Sequence, residues 1–372
     1  NFETEELYEA VRYAHALEKK LYLTLNTLPG WREYDQLEQF LYDLKGCPLD
    51  GMIIADPGVL ILAKKLLPEV PVHISTQAGA VSHADCTFWQ SLGATRVVLA
   101  RELSFEDIRA IRQRISGELE LEVFIHGSMC VSFSGRCLLS ENLVGRNANN
   151  GCCAQPCRWN FELYEIAEEK RPESRFPVME TDRGTFILSS KDLCMIEHIP
   201  ELMEAGIASF KIEGRMKSAY YAAVTANAYR MAMDSYRKDP AGYRYDPLWG
   251  RELGSVSHRD YCTGYFLEAP DHNAQLTEKT GYIREKAYLA VATGYDAETG
   301  RARFIQRNKV TAGMPVELLS PGRCGVPFVA RDLCDEEGKT VDCAPHPFMK
   351  FSMSVPFPVH PGDILRGGEP AV

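Results

Sequence analysis

The chain has 372 residues but no run of eighteen apolar ones, so no membrane-spanning helix is expected. It also lacks an excess of positive charge. Its 41 lysines and arginines face 51 aspartates and glutamates, a formal net charge of −10. That balance argues against a protein that simply coats nucleic acid, but leaves room for a local basic site for RNA. The compact catalytic signatures are missing as well: no HExxH zinc helix, no GxSxG elbow, no Walker loop. Paired CxxC knuckles, the usual mark of structural zinc, are absent too. No secretory signal pattern is visible. Cysteine, by contrast, is plentiful, with twelve in the chain. A chain this long has no need of disulfide staples, and adjacent Cys152 and Cys153 suit a bridge framework badly. A reducing, cytoplasmic setting is therefore expected.

What is present first is a rhythm. Apolar strands at 21–25, 51–55, 71–76, 95–100 and 121–126 alternate with helical segments at 3–19, 34–45, 59–66, 83–92 and 104–116. Strand–helix alternation with short turns predicts a parallel sheet wound with helices. Nearly every strand ends in polar residues: Asn26-Thr27, Asp56, Ser75-Thr76-Gln77, Arg101-Glu102, His126. In a (βα)8 barrel such carboxyl ends face the active site. Helix N-capping explains them equally, and for Asp56 and Ser104 it is the better reading. FELYEI (161–166) and GTFILSS (184–190) predict an antiparallel hairpin inserted in the barrel. SSKDLC leads into an expected helix at 194–205, then strand 208–212 and helix 217–236. Six barrel strands result where a closed barrel needs eight, and the chain starts without Met, so two upstream strands are expected to precede it. The domain expectation is a (βα) barrel catalytic domain at 1–237, a linker rich in Asp, Pro, Gly and Tyr at 238–255, and a small all-β barrel at 256–372. In the last, Arg301, Arg303 and Arg307 would share a strand face, available to phosphates or merely solvated.

Everything else is arranged around residues 122–159. Strand residues Glu122, Phe124 and His126 share one face, Val123 and Ile125 the other. The chain then turns at Gly127, and Cys130, Cys137, Cys152, Cys153 and Cys157 follow within a Gly-punctuated polar loop. Cysteines in such a loop are better suited to holding something than to packing. An all-cysteine set with irregular spacing points to an iron–sulfur cluster, with zinc or unliganded thiols as alternatives. For Cys47, Cys86, Cys262, Cys324, Cys334 and Cys343 plain burial is the better reading. His126 could act as a general base at the strand–loop junction or satisfy a backbone carbonyl. Glu122 could sit in a buried ion pair. Lys211, Glu213 and Arg215 end the last strand, where pairing and substrate binding are both open. Arg136, Arg146 and Arg158 flank the cysteines with guanidinium forks suited to carboxylates and phosphates.

HGSMCVSFSGRCLLS (126–140), NNGCCAQPCRW (149–159), SSKDLC (189–194), FKIEGRMKS (210–218) and SHRDYCTGYF (257–266) together resemble the collagenase-like peptidase family U32. The likeness spans essentially the whole chain. It implies one of several activities: peptide hydrolysis, as the family name says, or oxygen-independent hydroxylation served by a [4Fe–4S] cluster. Branches of the family hydroxylate ubiquinone precursors, a tRNA wobble uridine with prephenate as hydroxyl donor, or 23S rRNA. The C-terminal part resembles the tRNA-directed branch. By resemblance the cluster ligands are Cys130, Cys137, Cys153 and Cys194, with Cys157 the alternative fourth. From their places at the strand ends and beside the cysteines, His126, Glu122 and Arg215 are the expected catalytic residues, and Arg136 and Arg158 the expected cofactor-binding ones. Expected partners are tRNA and a paralogous subunit.

Overall fold

The computed structural model describes residues 2–130, 132–133, 137, 139–146, 153–158, 166–168, 171–176, 179–181, 184–186, 190–267, 283 and 285–367. The chain divides into two compact units, one of residues 1–194, 201–211 and 262–280, the other of 195–200, 212–261 and 281–372.

The first unit opens with α1 (Thr4–Ala16), β1 (Tyr22–Leu25), α2 (Tyr34–Asp43), β2 (Gly51–Ile54), α3 (Pro57–Leu66), β3 (Val72–Ile74), α4 (His83–Ser91), β4 (Arg96–Val98), α5 (Phe105–Arg114) and β5 (Glu120–Ser128). Its helices start where side chains can take up orphan backbone N–H groups. Asp56 caps α3 by accepting from Val59 N, with Pro57 at the first helical position. Ser82 with Asp85, and Ser104 with Asp107, close reciprocal capping boxes on α4 and α5. The capping roles expected for Asp56 and Ser104 are thus observed.

Strands β1 to β5 form a parallel ladder in chain order. Every residue of β2, β3 and β4 is buried, as strands covered on both faces require. One face carries Met52, Ile54, Val72, Ile74, Val97, Leu121, Val123 and Ile125, all essentially inaccessible. β1 lies at one edge of this sheet among the described residues, and its residues are partly exposed. After β5 come α6 (Leu139–Val144), then β6 (Ile166–Glu168), β7 (Arg171–Phe176), β8 (Met179–Thr181) and β9 (Gly184–Phe186). The described residues here form two short antiparallel pairs, β6–β7 and β8–β9. Most of the single hairpin expected from 161–166 and 184–190 falls on 161–165 and 187–189, which lie outside the described residues.

β10 (Asp192–Cys194), α7 (Ile199–Glu204) and β11 (Ser209–Ile212) follow. Both strands pair with β5, and β10 runs antiparallel to it. This corrects the helix expected to begin at 194: Cys194 is in a strand, and helical turns start only at Ile196. Three residues are too few to show a period; their partner, more than sixty residues upstream in β5, makes them a strand.

In the second unit α8 (Ala219–Lys238) is capped by Ser218, and α9 (Pro247–Gly254) follows. The stretch read as a linker therefore contains a helix. Asp246 accepts from Leu248 N and Pro247 takes the first helical position, a helix-start signal that composition alone presents as a turn. β12 (Tyr261–Cys262) precedes β13 (Ala287–Asp296), β14 (Arg301–Gln306), β15 (Val310–Thr311), β16 (Pro315–Leu319), β17 (Val326–Val329), β18 (Arg331–Cys334), β19 (Cys343–Ala344), β20 (Lys350–Ser354) and β21 (Ile364–Gly367). Seven of these form one antiparallel sheet in the order β17-β16-β21-β13-β14-β20-β18. Its two edge strands are joined by Ala330 alone, which curls the sheet on itself around Leu289, Phe304, Leu318, Leu333, Phe351 and Met353. No described helix is long and apolar enough to cross a membrane.

Candidate functional site

Because β1 to β5 are parallel, their carboxyl ends share one edge of the sheet. Polar groups there hold one another. Asn26 Nδ2 donates to Ser75 Oγ at 3.4 Å, and Thr76 Oγ1 donates to the Leu99 carbonyl at 3.0 Å. Arg101 Nη1 donates to the Ser128 carbonyl at 2.6 Å while its guanidinium lies 3.9 Å from the centre of the Phe124 ring. Ser190 Oγ donates to the Met129 carbonyl at 2.7 Å. Gly127, at φ +108°, lets β5 continue into this edge where a side chain would strain the backbone.

The decisive geometry is the β5–β10 register. Asp192 faces Ser128, Leu193 faces Gly127, and Cys194 faces His126. A cysteine remote in sequence is thereby placed beside the end of the strand from which the loop carrying Cys130 and Cys137 departs. His126 is buried, at 1% exposure. Farther along the loop, Ser140 is buried and ties it together: its Oγ accepts from Ala154 N at 3.0 Å and its carbonyl from Arg146 N at 3.4 Å. Cys153 Sγ accepts the backbone N–H of Gln155 at 3.3 Å, the kind of hydrogen bond that tunes a ligating thiolate. Cys130 is exposed, and Cys137, Cys153, Cys157 and Cys194 are half-buried. Soft thiols at one strand end and its loop fit an iron–sulfur cluster by donor chemistry. Among the described residues, however, no three His, Cys, Asp or Glu side chains converge as a metal site.

Of the six cysteines expected to be simply buried, Cys47 and Cys86 are, whereas Cys262, Cys324, Cys334 and Cys343 are half-buried like most of the loop set. Cys86 is fully buried in α4, and burial pushes its thiol up to about 11. Burial also raises Cys47 and Cys324. Protonated thiols are poor ligands.

Along the sheet face opposite the apolar one, the ladder aligns Tyr22, Gly51, His73, Arg96 and Glu122. Glu122 is 6% exposed and accepts from Arg96 Nη1 at 3.1 Å and Lys211 Nζ at 3.2 Å. Burial opposes its ionisation, but Lys211, the Ser209 hydroxyl and Arg96 outweigh that and hold its carboxyl below the usual range. Arg96 also meets Glu120 at 2.6 Å. Gly51 leaves room here: an added Cβ would stand 3.1 Å from both the His73 and Tyr22 rings, which would have to shift by a few tenths of an ångström. His73 and Arg96 were not singled out from the sequence. Their signal was a polar residue inside an apolar strand, VPVHIST and TRVVLA.

Burial, then Arg96, lowers the His73 imidazole from its ordinary 6.5 to about 4. The unfolded chain therefore takes up this proton first. His73 stabilises the fold fully above about pH 6.5, and that contribution is lost as pH falls towards 4. The total is on the order of 3 kcal/mol. Urea unfolding at pH 7, 5.5 and 4.5 should show the loss, and His73→Phe should flatten it; an equally steep pH dependence in the variant would disprove the assignment.

The other sequence-predicted residues separate. Arg215 is exposed in the turn after β11, its N–H donating to Glu213 Oε1 at 2.9 Å. Arg136 and Cys152 lie outside the described residues, and of Arg158 only the backbone is described, in a short 3-10 turn with Cys157. In β14, Arg301 and Arg303 alternate with buried Ala302 and Phe304, so they share the outer face as expected, with exposed Arg307 just beyond. Arg301 is engaged, donating to the Asp332 carbonyl at 2.7 Å, and Arg307 lies 4.7 Å from the centre of the Phe348 ring.

A parallel α/β unit with a cysteine-bearing loop at its strand ends, followed by a curled antiparallel β domain, matches a known family along nearly its whole length. The chain belongs to Peptidase family U32, whose model covers residues 1–276, with the U32 C-terminal domain matching residues 284–366. Among relatives, it is 34% identical over 369 residues to tRNA hydroxylation protein P1 of Bacillus subtilis strain 168, covering 99% of this chain and 86% of that protein. It is 28% identical over 332 residues to a collagenase of Porphyromonas gingivalis strain W83, covering 86% and 77%. It is 35% identical over 231 residues to the 23S rRNA 5-hydroxycytidine C2501 synthase of Escherichia coli strain K12, covering 62% and 33%.

Proposed function

We propose that this chain is an RNA-modifying hydroxylase that converts a tRNA wobble uridine to 5-hydroxyuridine without molecular oxygen, with prephenate as hydroxyl donor. The observation that carries the reading is the β5–β10 register, which sets Cys194 opposite His126 at the root of the cysteine loop. Similarity to a tRNA hydroxylation protein over almost the full chain supports the substrate class. Cys130, Cys137, Cys153 and Cys194 would hold a [4Fe–4S] cluster, with Cys157 the alternative fourth ligand. When bound, the cluster supplies electron transfer or oxygen-atom delivery. The chain's own residues do the rest. His126 holds or moves a proton at the end of β5. Glu122 fixes Arg96 and Lys211 on the polar sheet face. Arg136 and Arg158 would offer forks for the carboxylates of prephenate. In this reading the five parallel strands belong to a TIM-type (βα)8 barrel, which would put Tyr22, His73, Arg96, Glu122 and Lys211 on its inner face and the cysteine loop at its catalytic end; the support is the parallel β1–β5 ladder. The setting is cytoplasmic, and a paralogous subunit is a candidate partner.

Nucleoside mass spectrometry of tRNA from a strain deleted for this gene tests the reading. Hydroxyuridine-derived nucleosides should disappear and return on complementation with the wild-type gene. An unchanged tRNA profile, with a hydroxylated nucleoside lost from rRNA, would move the substrate to rRNA. The collagenase relative carries a second reading, peptide hydrolysis. Cleavage of a collagen-like peptide by metal-free protein would favour it.

A further inference from the structure

The loop between β1 and α2 presents an aromatic side chain that the fold does not use. Trp31 is 80% exposed, whereas Trp89 and Trp249 are each at 7%. An exposed tryptophan forgoes the largest apolar burial any side chain offers, so its position asks for a ligand. The loop is built to present it. Glu33 N–H donates to the Gly30 carbonyl at 2.9 Å, and Gly30 N–H donates to Glu33 Oε2 at 2.6 Å. This double closure makes a tight turn with Trp31 and Arg32 at its two corner positions. Arg32 sits with its guanidinium carbon 5.0 Å from the centre of the Trp31 ring. One residue on, Tyr34 OH donates to Asp56 Oδ1 at 2.9 Å, pinning the turn to the cap of α3.

The turn follows the carboxyl end of β1, on the same edge of the sheet as the end of β5. Four ladder steps separate the two strands, about 19 Å along the sheet at about 4.8 Å per step. A ligand that spans both must be extended, must carry flat faces for an indole, and must bear negative charge for the adjoining guanidinium. A single-stranded stretch of RNA has all three properties.

We propose that Trp31, with Arg32 beside it, is a stacking platform for an unpaired nucleobase of the RNA substrate, a nucleotide neighbouring the one that reacts. The proposal rests on the RNA-hydroxylase reading and adds a positioning residue to it. Indole stacking binds the base without reading its identity, and Arg32 meets the adjoining phosphate. The reactive base is then delivered to the cysteine-loop end by a strand held at two points.

The full chain should be titrated into fluorescently labelled oligouridylate and into bulk tRNA. Trp31→Ala should weaken both by roughly 5- to 150-fold, the range for loss of one base–aromatic stack. Trp31→Phe should stay within a few-fold of wild type, and Trp31→Leu should behave like Trp31→Ala, because an apolar side chain without a ring cannot stack. RNA should quench part of the wild-type tryptophan fluorescence, and that part should vanish in Trp31→Phe. Equal affinity of Trp31→Ala and wild type overturns the platform while leaving the hydroxylase reading intact. So does full affinity in Trp31→Leu. A wild-type dimer that Trp31→Ala dissociates, at unchanged RNA affinity, would make the turn a protein interface. A wild-type chain that binds neither RNA brings down the hydroxylase reading and the platform together.

Discussion

Replacing Cys194 by Ala should strip the protein of iron. Anaerobically purified wild-type chain is expected to be brown, with about four irons per chain, as a thiolate-held [4Fe–4S] site requires. Cys130→Ala, Cys137→Ala and Cys153→Ala should each lose that iron and the nucleoside product with it. Cys194 makes the sharpest test, because only the fold brings it to the root of the cysteine loop: its strand partner is His126, four residues before Cys130. Cys324→Ala and Cys343→Ala should keep their iron; Cys324 is held protonated by burial, and both belong to the second unit. Iron and acid-labile sulfide, measured per chain under anaerobic conditions, give the answer. Full iron in Cys194→Ala would move the fourth ligand to Cys157. A colourless wild-type protein with stoichiometric zinc would remove the cluster altogether.

Arg366→Ala should cost about 3–5 kcal/mol of stability, the range for breaking a buried ion network by removing one partner. Arg366 in β21 is 1% exposed. Its guanidinium meets Glu252 of α9 at 2.7 Å, Glu317 of β16 at 2.8 Å and the Ser255 hydroxyl at 2.9 Å. Lys286 closes the network on Glu317. Gly325 leaves room for it, since a Cβ there would lie 2.5 Å from the Arg366 guanidinium. Burial opposes ionisation of Glu317, but Lys286 and Arg366 outweigh it and lower its pKa. In wild type that contribution is present above the ordinary carboxylate range and lost as pH falls below it. In Arg366→Ala, Glu317 loses one of the two cations that lower its pKa, so that contribution shrinks. The gap between the two proteins should therefore narrow on acidification, as protonation of Glu317 removes the wild-type contribution. Urea unfolding of the full chain at pH 7 and pH 4 measures both effects. Arg366→Met combined with Glu252→Gln should recover part of the loss, because no naked carboxylate remains. A variant within 1 kcal/mol of wild type at pH 7 would show that solvent reaches the network.

Several parts of this molecule are legible one segment at a time. Asp56-Pro57 and Ser104 with Asp107 announce α3 and α5 because a cap needs only neighbours three residues away. Apolar runs such as GMII and VVLA announce buried parallel strands, since both their faces are covered. The face shared by Glu122, Phe124 and His126 follows from the two-residue period of a strand. The cysteine loop is conspicuous because no packing requirement produces it. Other parts carry no local signal. DLC has too few residues for a period, and Asp246-Pro247 reads as a turn as readily as a helix start.

The amino-acid order by itself thus determined the alternation of strands and helices, the helix starts and the residues offered at the strand ends, because each depends on neighbours a few positions apart. Tertiary structure decided which of those residues meet. Register between strands distant in sequence set Cys194 against His126 and put His73, Arg96 and Glu122 on one face, where Arg96 and Glu122 form an ion pair. Register is a long-range property. It is fixed by which faces the whole sheet must bury, and no single segment contains that information.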